Sequence, residues 1–278
     1  SKNRFTRMFA SASGTSAFYG IYHNSVDAVA GGENVVSNNA FYELDGNGAQ
    51  YGLYNNGSNN VRYYHNTISL DYTASTSAST TVGFYQTVNA TGIEFMNNII
   101  TIRRGGNGSK YALFFNTTTS EIASDHNVLF VAGANAHTGS YAGNRTTLAD
   151  WQAESGEDAN SMELDPLYTD VVAGDLKPQL GAIDNLGIDV GITTDILGVA
   201  RPTTTPDAGA WEFSPLPCDV PPVAGTAQVT PNSGICLETP ISLTVTGHSA
   251  LGAITFQWQH SPDGTNWTNL GPEQYFPQ

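Results

Sequence analysis

YGIY at Tyr19–Tyr22 recurs three times along the chain, as YGLY at Tyr51–Tyr54, VGFY at Val82–Tyr85 and YALF at Tyr111–Phe114. Successive copies begin 32, 31 and 29 residues apart. A second pattern follows each copy in constant order: an aliphatic residue, four further positions, then an asparagine and another apolar residue, with a short insertion in the first copy. Its asparagines are Asn39, Asn66, Asn98 and Asn127. Two patterns in the same order indicate a repeat architecture.

Each repeat contains runs in which side chains alternate with period two, such as Val61–His65 and Thr67–Tyr72, separated by Gly, Asn, Ser and Thr. This alternation predicts short strands. Three short strands in about 30 residues predict one coil of a parallel β-helix, where neighbouring coils bury each other's inward side chains. A propeller blade, with four antiparallel strands, is the second choice. The sequence therefore predicts an all-β fold.

Over most of residues 1–213 the chain resembles the right-handed parallel β-helix repeats of secreted polysaccharide lyases, glycosidases and surface proteins. In that family an asparagine recurs at the tight turn between the second and third strands of each coil and bonds the next asparagine. The resemblance implies a structural ladder of Asn39, Asn66, Asn98 and Asn127. Because Asn tolerates the left-handed backbone conformation, we expect these residues to adopt it at the turn.

The end of this region carries two further signals. Thr147–Glu154 begins with a Thr-x-x-acid pattern and is followed by Ser155-Gly156, which predicts a two-turn helix with a glycine stop. The segment ending in Asp207–Glu212 (DAGAWE) is similar to the closing coils of bacterial secreted β-helix proteins. It predicts the last turn of the solenoid and its cap. We favour turn and capping roles for its acidic residues over calcium binding, and no cofactor is predicted.

A second domain is expected after a proline-rich linker at residues 214–222. Alternating runs predict β-strands within residues 223–278, and residues 256–270 (FQWQHSPDGTNWTNL) resemble the Ig-like modules of large surface proteins exported by the type IX system. A complete sandwich needs about 100 residues, so a truncated module is expected. Cys218 and Cys236 form one disulfide or remain two free thiols; their spacing fits no metal site.

Composition narrows the function classes. Ten Lys and Arg against 25 Asp and Glu give a net charge of −15, which argues against nucleic acid and anionic membranes as partners. No apolar run approaches the roughly 18 residues of a membrane span, so no membrane insertion is expected. Further domains of a longer chain are expected as neighbours.

The aromatic repeat predicts a surface. If Ile21, Leu53 and their equivalents point inward, alternation places Tyr22, Tyr54, Tyr85 and Phe114 outward, stacked about 4.8 Å apart. Such a stripe can stack against sugar rings. Two alternatives remain open: the phase of alternation is reversed, or the loop Asp71–Thr81 covers the stripe.

Catalytic signals are weak, because none of the four repeated strand segments contains a carboxylate. A lyase site assembled from His65, Arg103, Arg104 and Lys110, and a calcium loop at Asp45–Gly48, are the available alternatives. We therefore predict no catalytic residue and no metal ligand. The expected function is that of a secreted or cell-surface adhesin or structural module that contacts neutral glycans through the stripe. The alternative is a polysaccharide lyase or glycoside hydrolase of the β-helix type.

Overall fold

The computed structural model describes residues 1–8, 11–215, 223–233, 240–248 and 256–271. Over these residues the chain is all-β apart from one α-helix and a 3-10 turn at Gly181–Ile183. It divides into two compact units, Ser1–Ser214 and Pro215–Gln278. The first unit is a parallel β-solenoid of four successive coils.

Each coil contributes one strand to each of three parallel sheets. The first sheet contains β2 (Phe18–Asn24), β5 (Gln50–Asn56), β8 (Thr81–Val88), β11 (Lys110–Phe115) and β14 (Ala136–Tyr141), with β15 (Asn144–Arg145) antiparallel to β14. The second sheet contains β3 (Asn34–Ser37), β6 (Val61–Tyr64), β9 (Ile93–Met96) and β12 (Ile122–Asp125). The third sheet contains β1 (Arg4–Thr6), β4 (Ala40–Tyr42), β7 (Thr67–Leu70), β10 (Ile99–Ile102) and β13 (Val128–Val131). The coil prediction is confirmed, and the parallel pairing excludes a propeller.

The core lies between the three sheets and is stacked coil upon coil. Leu53, Phe84 and Leu113 of the first sheet are fully buried and occupy equivalent positions in register. Phe84 stacks on Phe95 of the second sheet with ring centroids 4.7 Å apart. Each coil alone is too thin to bury these side chains, so the solenoid is stable only as a stack.

The predicted helix is confirmed as α1 (Leu148–Ser155), and it closes the C-terminal end of this core. Thr147 and Asp150 form a reciprocal capping box, and Gly156 ends the helix with φ 75°. Trp151 is fully buried and packs on Phe115, 5.0 Å between ring centroids. A Cβ on Gly139 would lie 2.2 Å from the Trp151 ring, so β14 accommodates the helix only because it has glycine there.

The expectation that the segment ending in DAGAWE closes the solenoid as its last coil is wrong. Residues 165–213, which we call the return segment, run back along the outer surface of the third sheet. The Ala210 N–H donates to the Thr67 hydroxyl, 2.8 Å, and the Gly209 N–H donates to the Asn97 carbonyl, 2.7 Å. Arg4, in the first strand of the chain, donates to the Gly174 carbonyl and lies over the Trp211 ring.

This segment covers the third sheet because the outward positions there are small or apolar. Ala40, Trp211 and Leu176 form a buried cluster with Tyr42. As a result every residue of β7 and of β10 is buried, on both faces of the sheet. The return segment is therefore a side wall of the solenoid.

In the second unit, β16 (Thr226–Thr230) pairs antiparallel with β17 (Ser242–Thr246), and β18 (Gln259–His260) with β19 (Thr268–Asn269). Residues 261–267 form the turn between β18 and β19, and the Asp263 carboxylate accepts the N–H groups of Thr265 and Asn266 within it. The predicted linker lies mostly outside the described residues, as do Cys218 and Cys236. No helix among the described residues has the length and apolarity needed to span a bilayer.

Candidate functional site

The predicted asparagines form one buried column at the turn between the second and third sheets. The Asn39 N–H and side-chain amide both donate to the Asn66 Oδ1, at 3.1 and 2.9 Å. Asn66 repeats both bonds to Asn98, and Asn98 repeats them to Asn127. This column satisfies backbone donors that the coil stack hides from water.

The column is longer than the repeat suggested. Asn3 donates to the Asn39 Oδ1 at one end, and the Asn127 N–H donates to the Ser161 hydroxyl at the other. The expected left-handed conformation is wrong for these asparagines, because the residue before each of them adopts it. These residues are Asn38, His65, Asn97 and His126, with φ between 52° and 58°.

The aromatic residues lie in register on the outer surface of the first sheet. Tyr22, Tyr54, Tyr85 and Phe114 are ladder partners, and neighbouring ring centroids are 4.8, 5.0 and 4.8 Å apart. Tyr22 is 49% exposed, and the other three rings are partly exposed. The phase of alternation is thus the expected one. The loop Asp71–Thr81 does not cover these rings; its hydrogen bonds go to Asn47 and to the turn around Gly108.

A second aromatic column, which the sequence interpretation missed, runs beside the first. Tyr19 stacks on Tyr51 at 5.0 Å and 17°, and Tyr51 stacks on Tyr85 at 5.5 Å and 15°. Tyr19 and Tyr22 are three positions apart, yet both are about half exposed, at 46% and 49%, and their ring centroids are 5.6 Å apart. The signal was present in the repeat, because the YGxY pattern carries both tyrosines.

The small residue between the tyrosines is required by the close approach of the coils. A Cβ on Gly52 would lie 2.8 Å from the Gly83 carbonyl oxygen and 2.9 Å from Ile68. A Cβ on Gly20 would lie 2.3 Å from the Gly52 carbonyl oxygen. The glycine therefore lets the backbones of neighbouring coils approach closely beside the tyrosines.

A polar row follows the aromatic residues two positions further along each strand. The Thr87 hydroxyl donates to the Asn56 Oδ1, 2.6 Å, and the Asn56 amide donates to the Asn24 Oδ1, 2.7 Å. Asn116 continues the row and donates to the Thr87 carbonyl, 3.1 Å. Thr87 is the extra residue of a bulge, because Asn55 pairs with Gln86 and Asn56 with Val88.

We call these residues together the aromatic–amide face, and all of its side chains are uncharged. Its members are Tyr19, Tyr22, Asn24, Tyr51, Tyr54, Asn56, Tyr85, Thr87, Phe114 and Asn116. Burial, and to a smaller extent the neighbouring tyrosines, raise the pKa of Tyr51, Tyr54 and Tyr85. These phenols therefore remain neutral at physiological pH and keep their protons for hydrogen bonding.

One end of the face is closed. Tyr111 would extend the second column, but it is 6% exposed. Its hydroxyl donates to the Asn144 Oδ1, 3.0 Å, in the hairpin formed by β14 and β15, and its ring stacks on His137. The accessible part of the aromatic–amide face therefore spans the four strands β2, β5, β8 and β11.

The residues of the possible lyase site are not brought together as a catalytic group. Arg104 is buried, donates to the Gly46 and Gly48 carbonyls and to the Thr81 hydroxyl, and burial lowers its pKa to about 10. Lys110 donates to the Gly106, Gly108 and Ala134 carbonyls. Both cations hold turns of the solenoid, and Arg104 binds carbonyls that a calcium ion in the Asp45–Gly48 loop would need.

The two remaining residues of that set also have structural partners. His65 is buried under the return segment, where burial and Arg201 lower its pKa to about 3, so it is neutral at physiological pH. Its ring contacts the Asp207 carbonyl and the Asn97 amide, each at 3.0 Å. Arg103 pairs with Asp165 at the start of the return segment. Among the described residues no group of His, Cys, Asp and Glu is arranged to hold a metal ion.

Comparison with protein-family models, with curated proteins and with solved structures returned no significant match for this chain.

Proposed function

We propose that this chain is a non-catalytic segment of a secreted or cell-surface protein and that its aromatic–amide face binds neutral glycans. The observation that carries the proposal is the uncharged character of this face on a protein of net charge −15. Aromatic rings offer apolar surfaces to the C–H faces of sugars, and the phenols and amides beside them offer hydrogen bonds to sugar hydroxyls. A binding surface usually combines these two chemistries.

The charge of the rest of the protein selects against acidic ligands. An excess of carboxylates repels polyanions such as pectate or alginate over a distance of about one Debye length. A neutral polysaccharide meets no such barrier. Contacts of this kind give modest affinities, in the micromolar to millimolar range.

The proposal extends to the context of the chain. The solenoid is right-handed, since crossover connections between parallel strands nearly always have that hand. The second unit is an Ig-like module of the kind found in type IX secretion cargo, supported by its two antiparallel strand pairs and by the resemblance of residues 256–270. On this proposal the solenoid acts as an adhesin or structural module outside the cell.

A specific observation supports the enzyme alternative. A cavity of about 440 Å³ at the return segment is lined by Asp184, Asp207 and Glu212, and burial raises the pKa of Asp207 to about 7. However, Asp207 accepts the N–H groups of Asn185 and Phe213, both at 2.7 Å, and Glu212 accepts the Asp207 N–H and pairs with Arg201. These contacts support a structural role for the carboxylates, and we rank catalysis second.

Binding to an array of neutral and acidic polysaccharides tests the proposal. We expect binding to neutral glycans only, and a loss of roughly tenfold or more in affinity when Tyr54 and Tyr85 are both changed to Ala. Trp267→Ala, which removes an exposed aromatic ring from the second unit, is the control and should leave binding unchanged. Absence of binding, or equal binding by the double variant, would refute the proposal. Release of oligosaccharides that stops in Asp207→Asn would establish the enzyme alternative instead.

A further inference from the structure

The orientation of the rings on the aromatic–amide face alternates from coil to coil. The Tyr54 ring stands at 85° to Tyr22 and at 78° to Tyr85, and Phe114 stands at 72° to Tyr85. Tyr85, in contrast, is nearly parallel to Tyr51, which is nearly parallel to Tyr19. Since these three rings stack from one coil to the next, their faces point along the solenoid axis and cover one another.

Tyr54 and Phe114 are turned across these stacked rings, so their faces are not covered in this way. Within the described part of the chain neither has a stacked aromatic partner, and all of their aromatic ring contacts are T-shaped. They lie two coils apart, which is about 10 Å at the usual strand spacing. Tyr85 lies between them and presents its edge and hydroxyl group.

An extended β-1,4-linked chain of neutral pyranoses has a matching repeat. Each sugar advances by roughly one strand spacing, about 5 Å. Successive sugars are turned over, so every second sugar presents the same face in the same direction. A chain lying along the solenoid axis would then meet one ring face at every second sugar.

On the basis of the function proposed above, we propose that the aromatic–amide face binds a β-1,4-linked neutral glycan along the solenoid axis. Alternate sugars stack on Tyr54 and Phe114, and the sugar between them meets the Tyr85 hydroxyl. Asn24 and Asn116 are exposed at the two ends of the polar row and contact hydroxyl groups at the side of the chain. The smallest ligand that reaches both rings is a trisaccharide.

The experiment compares oligosaccharides of two, three and four β-1,4-linked glucose units by titration calorimetry, with α-1,4-linked oligosaccharides of the same lengths as controls. The trisaccharide should bind up to about tenfold more tightly than the disaccharide, because it gains a second stacked ring. In Phe114→Leu this gain should disappear while disaccharide binding remains. Tyr54→Leu should behave in the same way, and the double variant should lose binding. Leucine keeps apolar volume at both positions, and thermal melting checks that each variant folds.

The outcomes separate this inference from the proposed function. If glycans bind through Tyr54 but di- and trisaccharides bind equally, or the α-linked series binds as tightly, the axial arrangement is wrong and glycan binding stands. If Phe114→Leu leaves the trisaccharide advantage intact, the pairing of Tyr54 with Phe114 is wrong. If no oligosaccharide binds at millimolar concentration, the inference fails, and the polysaccharide array described above decides separately whether the proposed function stands.

Discussion

The first and third sheets of the solenoid both present mostly uncharged side chains on their outer surfaces, but the chain covers only one of these surfaces itself. On the third sheet Tyr42 is 8% exposed and packs against Leu176 and Trp211 of the return segment. On the first sheet Tyr19 and Tyr22 are 46% and 49% exposed. Identical strand geometry thus gives a structural wall on one side and an accessible aromatic face on the other.

The size of the outward residues explains the difference. Ala40 and Thr67 leave room for a second layer of backbone, and the Ala210 N–H reaches the Thr67 hydroxyl. The tyrosines of the first sheet fill that space with rings that pack on each other. The covered surface is therefore the one that offers small outward residues such as Ala40, and the accessible surface is the one whose outward rings pack on each other.

The largest expected effect comes from removing the anchor of the covered surface. Trp211→Ala should lower the free energy of unfolding of the first unit by about 3 to 5 kcal/mol, the usual cost of deleting a buried Trp side chain. Urea denaturation measures this loss. Val35→Ala, on the half-exposed second sheet, is the control and should cost much less. Equal losses would mean that the return segment adds little to the solenoid.

The asparagine column lies in neither outer surface. Its residues should contribute more to the free energy of unfolding than any residue of the exposed face. Asn98→Ala removes the acceptor of two Asn66 donors and leaves the Tyr63 carbonyl without its amide partner. We expect a loss of about 1 to 3 kcal/mol by the same denaturation experiment. Asn116→Ala, at an exposed asparagine of the aromatic–amide face, should cost less than about 0.5 kcal/mol. A larger loss of stability in Asn116→Ala than in Asn98→Ala would show that the buried column is not the more important of the two for the fold.

The covered surface should also make stability depend on pH. Burial raises the pKa of Asp207 from its usual value to about 7, so between about pH 4 and 7 the folded state holds a proton that the unfolded chain has released. The contribution is fully present below pH 4 and is lost as the pH rises to 7. Asp207→Asn should remove a slope of at most about 1.4 kcal/mol per pH unit from the stability curve.

The slope, and not the overall stability, is the quantity to compare between Asp207→Asn and the unsubstituted protein. Glu212 and Arg201 are present in both proteins, so their titration largely cancels in the difference. Parallel pH profiles for the two proteins would show that Asp207 is ionised in the folded state throughout this range.

The smallest expected effect belongs to the accessible face. Tyr22→Ala should lower the free energy of unfolding by no more than about 1 kcal/mol, because the ring is half exposed and loses its contacts with Tyr19 and Tyr54. Thermal melting in parallel with Val35→Ala provides the measurement. A loss above about 2 kcal/mol would show that the tyrosines serve the fold and would weaken the case for a binding surface.

Several elements were predictable because their signals are local. The Thr147 capping box and the glycine at position 156 specified α1, and the repeated YGxY pattern specified the register of the first sheet. The path of the return segment was not predictable, because DAGAWE contacts residues more than 100 positions earlier in the chain. Ser161 was missed as the last member of the asparagine column because a hydroxyl there breaks the repeat pattern.

The sequence by itself determined the coil, its three strands and which side chains point inward, since period and alternation follow from the geometry of a strand wherever it lies. Only the tertiary structure decided which outward surface is covered and how the aromatic rings are turned relative to one another. The Gly209–Asn97 contact joins the return segment to a coil, and the crossed rings of Tyr54 and Tyr85 come from two different coils. Their arrangement exists only once the coils are stacked, so no local pattern encodes it.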